Sequence, residues 1–174
     1  MTNEVAVLGL GNILMQDDAF GPHVVHALEA GWTFPDGVDV LELGTPGFDL
    51  VPYMTGRRAV ILVDTAITDG PPGTIKLYRR DALLKVAPSP RPSAHQPTVL
   101  ETLLSLQFSG SCPEEVLLVG VVPKSCEKGT SMSAELHAAV PEACEEVVRE
   151  LARLGIEAKR REVPASAQVW WETA

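Results

Sequence analysis

A chain of 174 residues, 45% hydrophobic with a mean hydropathy of +0.11, is long enough for one domain with a full core and too polar to live in a bilayer. Its net charge of −9 argues against a phosphate-backbone partner such as nucleic acid, and the tight basic cluster Lys159–Arg160–Arg161 reads as a solvated helix end. Cys112, Cys126 and Cys144 are odd in number, widely spaced and without a CxxC pair, which excludes a disulfide framework and a zinc knuckle and leaves reduced thiols.

In chain order, residues 4–10 ("EVAVLGL") form a continuous aliphatic run of strand length, the pattern of a strand covered on both faces. Residues 19–30 follow with Phe20, Val24 and Leu28 at helical spacing. Residues 38–43 predict a second strand, Gly44–Thr45–Pro46–Gly47 a turn, and residues 48–54 a short helix. Residues 59–66 ("AVILVDTA") are the most apolar strand, and residues 74–78 follow the Pro71–Pro72–Gly73 turn as another. Prolines 88, 90, 92 and 97 make residues 87–97 a loop, after which a helix runs from Thr98 to Leu106. Residues 115–122 predict a last buried strand, and residues 133–154 a long amphipathic helix with Pro141 as a kink point.

Buried strands alternating with helices imply an α/β fold: a single three-layer domain with a doubly wound, mainly parallel sheet of about five strands and helices on both faces. The domain is expected to span residues 1–163, with residues 164–174 an aperiodic, disordered tail. No charged-then-apolar leader is read and no apolar stretch approaches the roughly 20 residues of a bilayer span, so a cytoplasmic protein with no membrane partner is expected. A monomer is the default expectation.

Gly9-x-Gly11 after the first strand invites a dinucleotide reading, but Leu14 stands where the third glycine belongs, and the loop carries Asp17 and Asp18 where pyrophosphate would sit. Phosphate would be repelled. P-loop, GxSxG and HExxH motifs are absent, which leaves a Cys–His pair open among nucleophilic mechanisms. In an open α/β sheet ligands gather outside the carboxyl ends of strands, where Asp17, Asp18, Asp64 and His95 fall. Singly, each has a plain structural explanation: an Asp or His before a helix is usually a cap, and Asp64 could close a turn. Within an apolar run, however, an ionised carboxylate costs several kcal/mol unless it is paired or metal-bound. Together, carboxylates and an imidazole at one sheet edge are a mixed oxygen and nitrogen set suited to a divalent transition metal with open positions.

Five segments in order, "GLGNILMQDDAFG", "ELGTPGFDL", "ILVDTAI", "SAHQPTVLETLL" and "VLLVGVVP", resemble the hydrogenase maturation protease family. The resemblance implies an endopeptidase that trims the C-terminal extension from the large-subunit precursor of a nickel–iron hydrogenase. It implies that Asp18, Asp64 and His95 are both the metal-contacting and the catalytic residues, and that the nickel is supplied by the precursor as the recognition element. Ala19 stands where many members have glycine, and the histidine loop is unusually rich in proline. On this reading Gly9 and Gly11 permit a tight turn, Asn12 pins the loop, and Asp18 faces metal while Asp17 caps the helix. The alternative is a non-catalytic, nickel-recognising maturation factor that binds the same precursor without cutting it.

Overall fold

A strand that is apolar along nearly its whole length can leave neither face in water, and the sheet is built around two of them. The computed structural model describes residues 4–85, 99–167 and 169–172. The chain runs through β1 (Val5–Leu10), a 3-10 turn (Gln16–Ala19), α1 (Phe20–Gly31), β2 (Trp32–Thr33) and β3 (Val38–Gly44). A second 3-10 turn (Gly47–Leu50) leads into α2 (Val51–Met54), β4 (Ala59–Thr65), β5 (Ile75–Arg79) and α3 (Arg80–Leu83). Then come α4 (Val99–Phe108), β6 (Glu115–Val121), α5 (Ala134–Arg153), β7 (Lys159–Arg160) and a last 3-10 turn (Trp170–Glu172).

Five strands form one sheet in the order β3-β1-β4-β6-β5, parallel except for β5, which runs antiparallel to β6. Val7 of β1 stands opposite Val40 of β3 and Ile61 of β4, and Ile61 opposite Leu117 of β6. All six residues of β1 and the first five of β4 are buried, whereas the edge strand β3 is only half-buried. Alternate residues divide between two cores, because side chains on a strand alternate faces. Val5, Val7, Ile61, Val63, Leu117 and Val119 pack under α1 and α5 with Phe20, Val24, Leu28, Leu136 and Leu151. Ala6, Leu8, Val60, Leu62, Val116 and Leu118 face Leu50, Met54, Leu83, Leu103 and Leu106 on the other side. The result is the expected three-layer arrangement.

Charge reinforces one flank of it. Glu150, on the buried face of α5 and 5% exposed, receives both arms of the Arg79 guanidinium from β5 at 2.5 and 2.8 Å, and Arg153 from its own helix. A buried carboxylate is tolerated because forked donors satisfy both its oxygens.

Two local expectations differ from the structure. Lys159–Arg160–Arg161 is not a helix end: α5 stops at Arg153, and Lys159 and Arg160 pair antiparallel with Thr33 and Trp32. The Arg160 guanidinium lies over the Trp32 ring, 5.2 Å from its centroid, and Arg161 Nε donates to the Trp32 carbonyl at 3.0 Å. The segment after Val163, expected to be disordered, instead buries Val169 and Trp171, since two large apolar side chains gain more from the core than from water. The loop 87–97, His95 with it, lies outside the described residues. Among the described residues no helix is long and apolar enough to cross a membrane.

Helix α1 lies on the sheet backbone to backbone. A Cβ on Gly21 would stand 2.1 Å from the Leu10 carbonyl oxygen and 2.6 Å from that of Val63, and one on Gly9 would stand 2.6 Å from the Gly21 carbonyl. Gly21→Ala is therefore expected to cost about 1–3 kcal/mol or more through overpacking. Gly31→Ala, with nothing within 4 Å of the added methyl, is expected to be neutral or slightly stabilising. Urea unfolding of both variants checks the pair, and equal stabilities would show that α1 can lift without penalty.

Candidate active site

The connections from β1 and β4 leave in opposite directions, one to β3 and the other, by way of the edge strand β5, to β6, so the carboxyl ends of β1 and β4 form a topological switch point. The loop after β1 folds tightly over this point. Gly11 has φ +130°, and a Cβ there would stand 1.7 Å from the Asp18 carbonyl oxygen, so only glycine allows the loop to close on itself. Asn12 does pin the loop: its Oδ1 accepts the Leu14 N–H at 3.0 Å. Gln16 takes a left-handed φ of +46°, unusual for a residue with a side chain, just before the acidic pair.

The adjacent aspartates point to different partners. Asp18 Oδ2 accepts the Asn12 N–H at 2.8 Å, and its Oδ1 accepts the Thr65 hydroxyl at 3.2 Å. Asp64, at the end of β4, accepts the Thr65 N–H at 2.7 Å. Thr65 thus joins the two carboxylates, donating its hydroxyl to one and its backbone N–H to the other. Burial, and then the charge of Asp18, push the Asp64 carboxyl up to about 7. Among the described residues neither carboxylate has a Lys or Arg partner. Two carboxylates in repulsion with no counter-charge are a donor set that fits a divalent cation.

Asp17 is fully buried and serves elsewhere. Its Oδ1 accepts the Ser133 N–H at 2.7 Å, and its Oδ2 accepts those of Lys124 at 2.7 Å and Ser125 at 3.0 Å. Burial alone would raise this carboxyl, but the backbone donors of Ser133, Ser125 and Lys124 outweigh it and hold the pKa below the ordinary value. The expected cap on α1 is not made: Ala19 precedes that helix without a side-chain cap, and Asp17 secures the loop after β6 instead.

The structure brings Asp18 and Asp64 together, while His95 lies outside the described residues. Thr65 and the clamp made by Asp17 were missed from sequence, the only signal being a hydroxyl directly after an aspartate at a strand end. Cys126 also lies beside the cluster. Desolvation and the charges of Asp18, Asp17 and Asp64 push its thiol up to about 11, and burial pushes Cys144 up to about 12 and raises Cys112. An activated cysteine nucleophile needs the opposite shift, so the Cys–His alternative has no support from these thiols.

Residues 22–150 match the family model described as hydrogenase maturation protease. The chain is 35% identical over 159 residues to the hydrogenase 2 maturation protease of Escherichia coli, covering 91% of this chain and 96% of that one. It is 33% identical over 159 residues to the hydrogenase expression/formation protein HoxM of Azotobacter vinelandii, covering 91% and 77%. A solved structure of the hydrogenase maturating endopeptidase HybD from E. coli is similar with a TM-score of 0.82 at 34% identity, covering 92% of this chain and 98% of that one.

Two stability measurements check the electrostatics. Asp17→Asn keeps one acceptor but turns an amide donor toward donors, and is expected to lose about 1.5–3 kcal/mol at pH 7. Because the folded pKa of Asp17 is lowered, its stabilisation is complete above about pH 4 and disappears as pH falls through the lowered value. The gap between wild type and Asp17→Asn in urea unfolding should therefore narrow below about pH 4, and a gap that stays constant contradicts the clamp. Asp64 behaves oppositely. Its raised pKa makes the folded chain bind more protons than the unfolded one, so wild-type stability falls as pH rises from about 4 through about 7. Chelator-treated Asp64→Asn should gain on wild type over that range, and parallel pH profiles would exclude the repulsion.

Proposed function

The chain belongs to the hydrogenase maturation protease family, and from that premise we propose that it removes the C-terminal extension of a nickel–iron hydrogenase large-subunit precursor after nickel insertion. It is an endopeptidase, a hydrolase of peptide bonds. The observation that carries the proposal is the Asp18–Thr65–Asp64 arrangement: two carboxylates at the switch point, fixed by one threonine and with no basic partner among the described residues. The nickel belongs to the substrate. Asp18, Asp64 and His95 contact it, so that only a metal-loaded precursor completes the site; His95 enters from the sequence alone. A divalent metal so held polarises a carbonyl or lowers the pKa of a bound water.

The chain's own residues supply position. The Asn12 N–H and the Thr65 hydroxyl fix both oxygens of Asp18, and the Thr65 N–H orients Asp64. Near pH 7 Asp64 is divided between acid and carboxylate, so a cation arriving there displaces a proton. Leu14, 58% exposed, and Ile67, 90% exposed, stand on the loops after β1 and β4 and offer apolar contact to an extended peptide. Action in the cytoplasm, and as a monomer, belongs to the same reading. No feature of the site favours the non-catalytic alternative.

Mass measurement of the precursor after incubation tests the proposal. Wild type should shorten nickel-loaded precursor and leave nickel-free precursor intact. Asp18→Asn and His95→Ala, shown to be folded by circular dichroism, should lose roughly 10²- to 10³-fold in rate, whereas Cys126→Ser should keep most of it. Equal cleavage of loaded and nickel-free precursor would remove nickel recognition. A parental rate in His95→Ala would remove that residue from the site.

A further inference from the structure

The 3-10 turn at Trp170–Glu172 returns the C-terminal segment to the first turns of α1 and α5. Trp171, 2% exposed, packs edge-on against the rings of His23 and His26, each at 5.4 Å between centroids. The adjacent Glu172 places its Oε1 3.2 Å from His23 Nε2 and 3.0 Å from His137 Nε2, and the same oxygen accepts the Met132 N–H at 3.5 Å. Three segments distant in sequence thus bring one ligand atom each to within 4.8 Å of one another.

A second observation concerns His23 alone. It is 8% exposed, its Nε2 is fully buried, and despite the short approach to Glu172 that nitrogen makes no hydrogen bond of acceptable geometry. Buried polar nitrogens without a hydrogen bond are rare, and one aimed into a cluster of ligand atoms calls for an occupant. The spacing agrees. Zinc–ligand bonds of about 2.0–2.1 Å at tetrahedral angles set ligand atoms about 3.3 Å apart, close to the 3.2 and 3.0 Å from Glu172 Oε1 to the two imidazole nitrogens, which lie within 4.8 Å of each other.

We propose that His23, His137 and Glu172 form a second, structural metal site for a zinc-like divalent cation, which latches the C-terminal segment onto α1 and α5. Two imidazoles and one carboxylate are a borderline donor set that suits zinc or cobalt, and His137, 43% exposed, leaves the fourth position open to water. The site shares no residue with the Asp18–Asp64 pair and stands or falls independently of the proposed substrate.

Cobalt titration of the full-length, chelator-stripped protein tests it, because tetrahedral cobalt gives visible absorption bands and a paramagnetic ion beside Trp171 quenches indole fluorescence. In the parent both signals should develop with the stoichiometry of one site, whatever cobalt the Asp18–Asp64 pair also takes, and zinc should displace the cobalt. Asp18→Asn/Asp64→Asn should retain both signals, whereas His137→Ala and the more conservative Glu172→Gln should weaken cobalt at least 10- to 100-fold while keeping the parental circular dichroism. Zinc should raise the Tm of the parent and of neither latch variant. The proposal is overturned if His137→Ala and Glu172→Gln bind cobalt like the parent, if Asp18→Asn/Asp64→Asn abolishes the quenching, or if no signal develops up to millimolar cobalt. In that last case Glu172 and the histidines form an ion pair only.

Discussion

A carboxylate whose hydrogen bonds go to Lys124, Ser125 and Ser133 holds the site together. Apart from a bridge between Gly129 and Met15, the connection between β6 and α5 has no regular structure, so most of its backbone N–H groups must find partners outside a ladder. Asp17 satisfies three of them at once. The return bonds run from backbone to backbone: Asp17 N–H to the Ser125 carbonyl at 3.1 Å, Gln16 N–H to that of Gly129 at 2.8 Å, and Gly129 N–H to that of Leu14 at 3.0 Å. The loop after β1 and the loop after β6 therefore behave as one body. Asp18 inherits its position from that union, and the left-handed backbone of Gln16 is the local strain the union sustains.

Asp17 and Asp64 carry the same side chain yet opposite electrostatics. Backbone donors surround Asp17 and stabilise its charge, whereas Asp64 faces the charge of Asp18 from a desolvated strand end and resists ionisation. Backbone polarity thus goes to the carboxylate that holds the loops, while the Asp18–Asp64 pair has no basic partner among the described residues.

The strands were legible because they are buried on both faces. Residues 4–10, 59–66 and 115–122 have almost no polar interruption, and the switch-point rule then pointed to Asp18 and Asp64 before any coordinates. Contacts made by single residues across long separations were not legible. The β2–β7 ribbon is two residues on each strand, too short for a period, and the docking of the tail rests on Val169 and Trp171 without a repeating pattern. The role of Asp17 was misread as a cap because its partners lie more than a hundred residues away, beyond the reach of any local capping rule. Thr65 escaped notice because a hydroxyl at a strand end is ordinary until its neighbours are known.

The order of strands also determines how the protein breathes. β1 and β4 are hydrogen-bonded on both sides, whereas β3 and β5 are sheet edges with one free side each. Local opening begins where ladders are one-sided and burial is incomplete, and amides in doubly bonded, buried strands exchange with solvent only in the rarest openings. Asp64 is carried by β4, one of the elements that open last, and Asp18, in the 3-10 turn after β1, is tied to that strand through the Thr65 hydroxyl. Fraying at the rim therefore leaves β4 and its Thr65–Asp18 bond in place, so the sheet can be pliant at its edges and rigid beneath the two carboxylates.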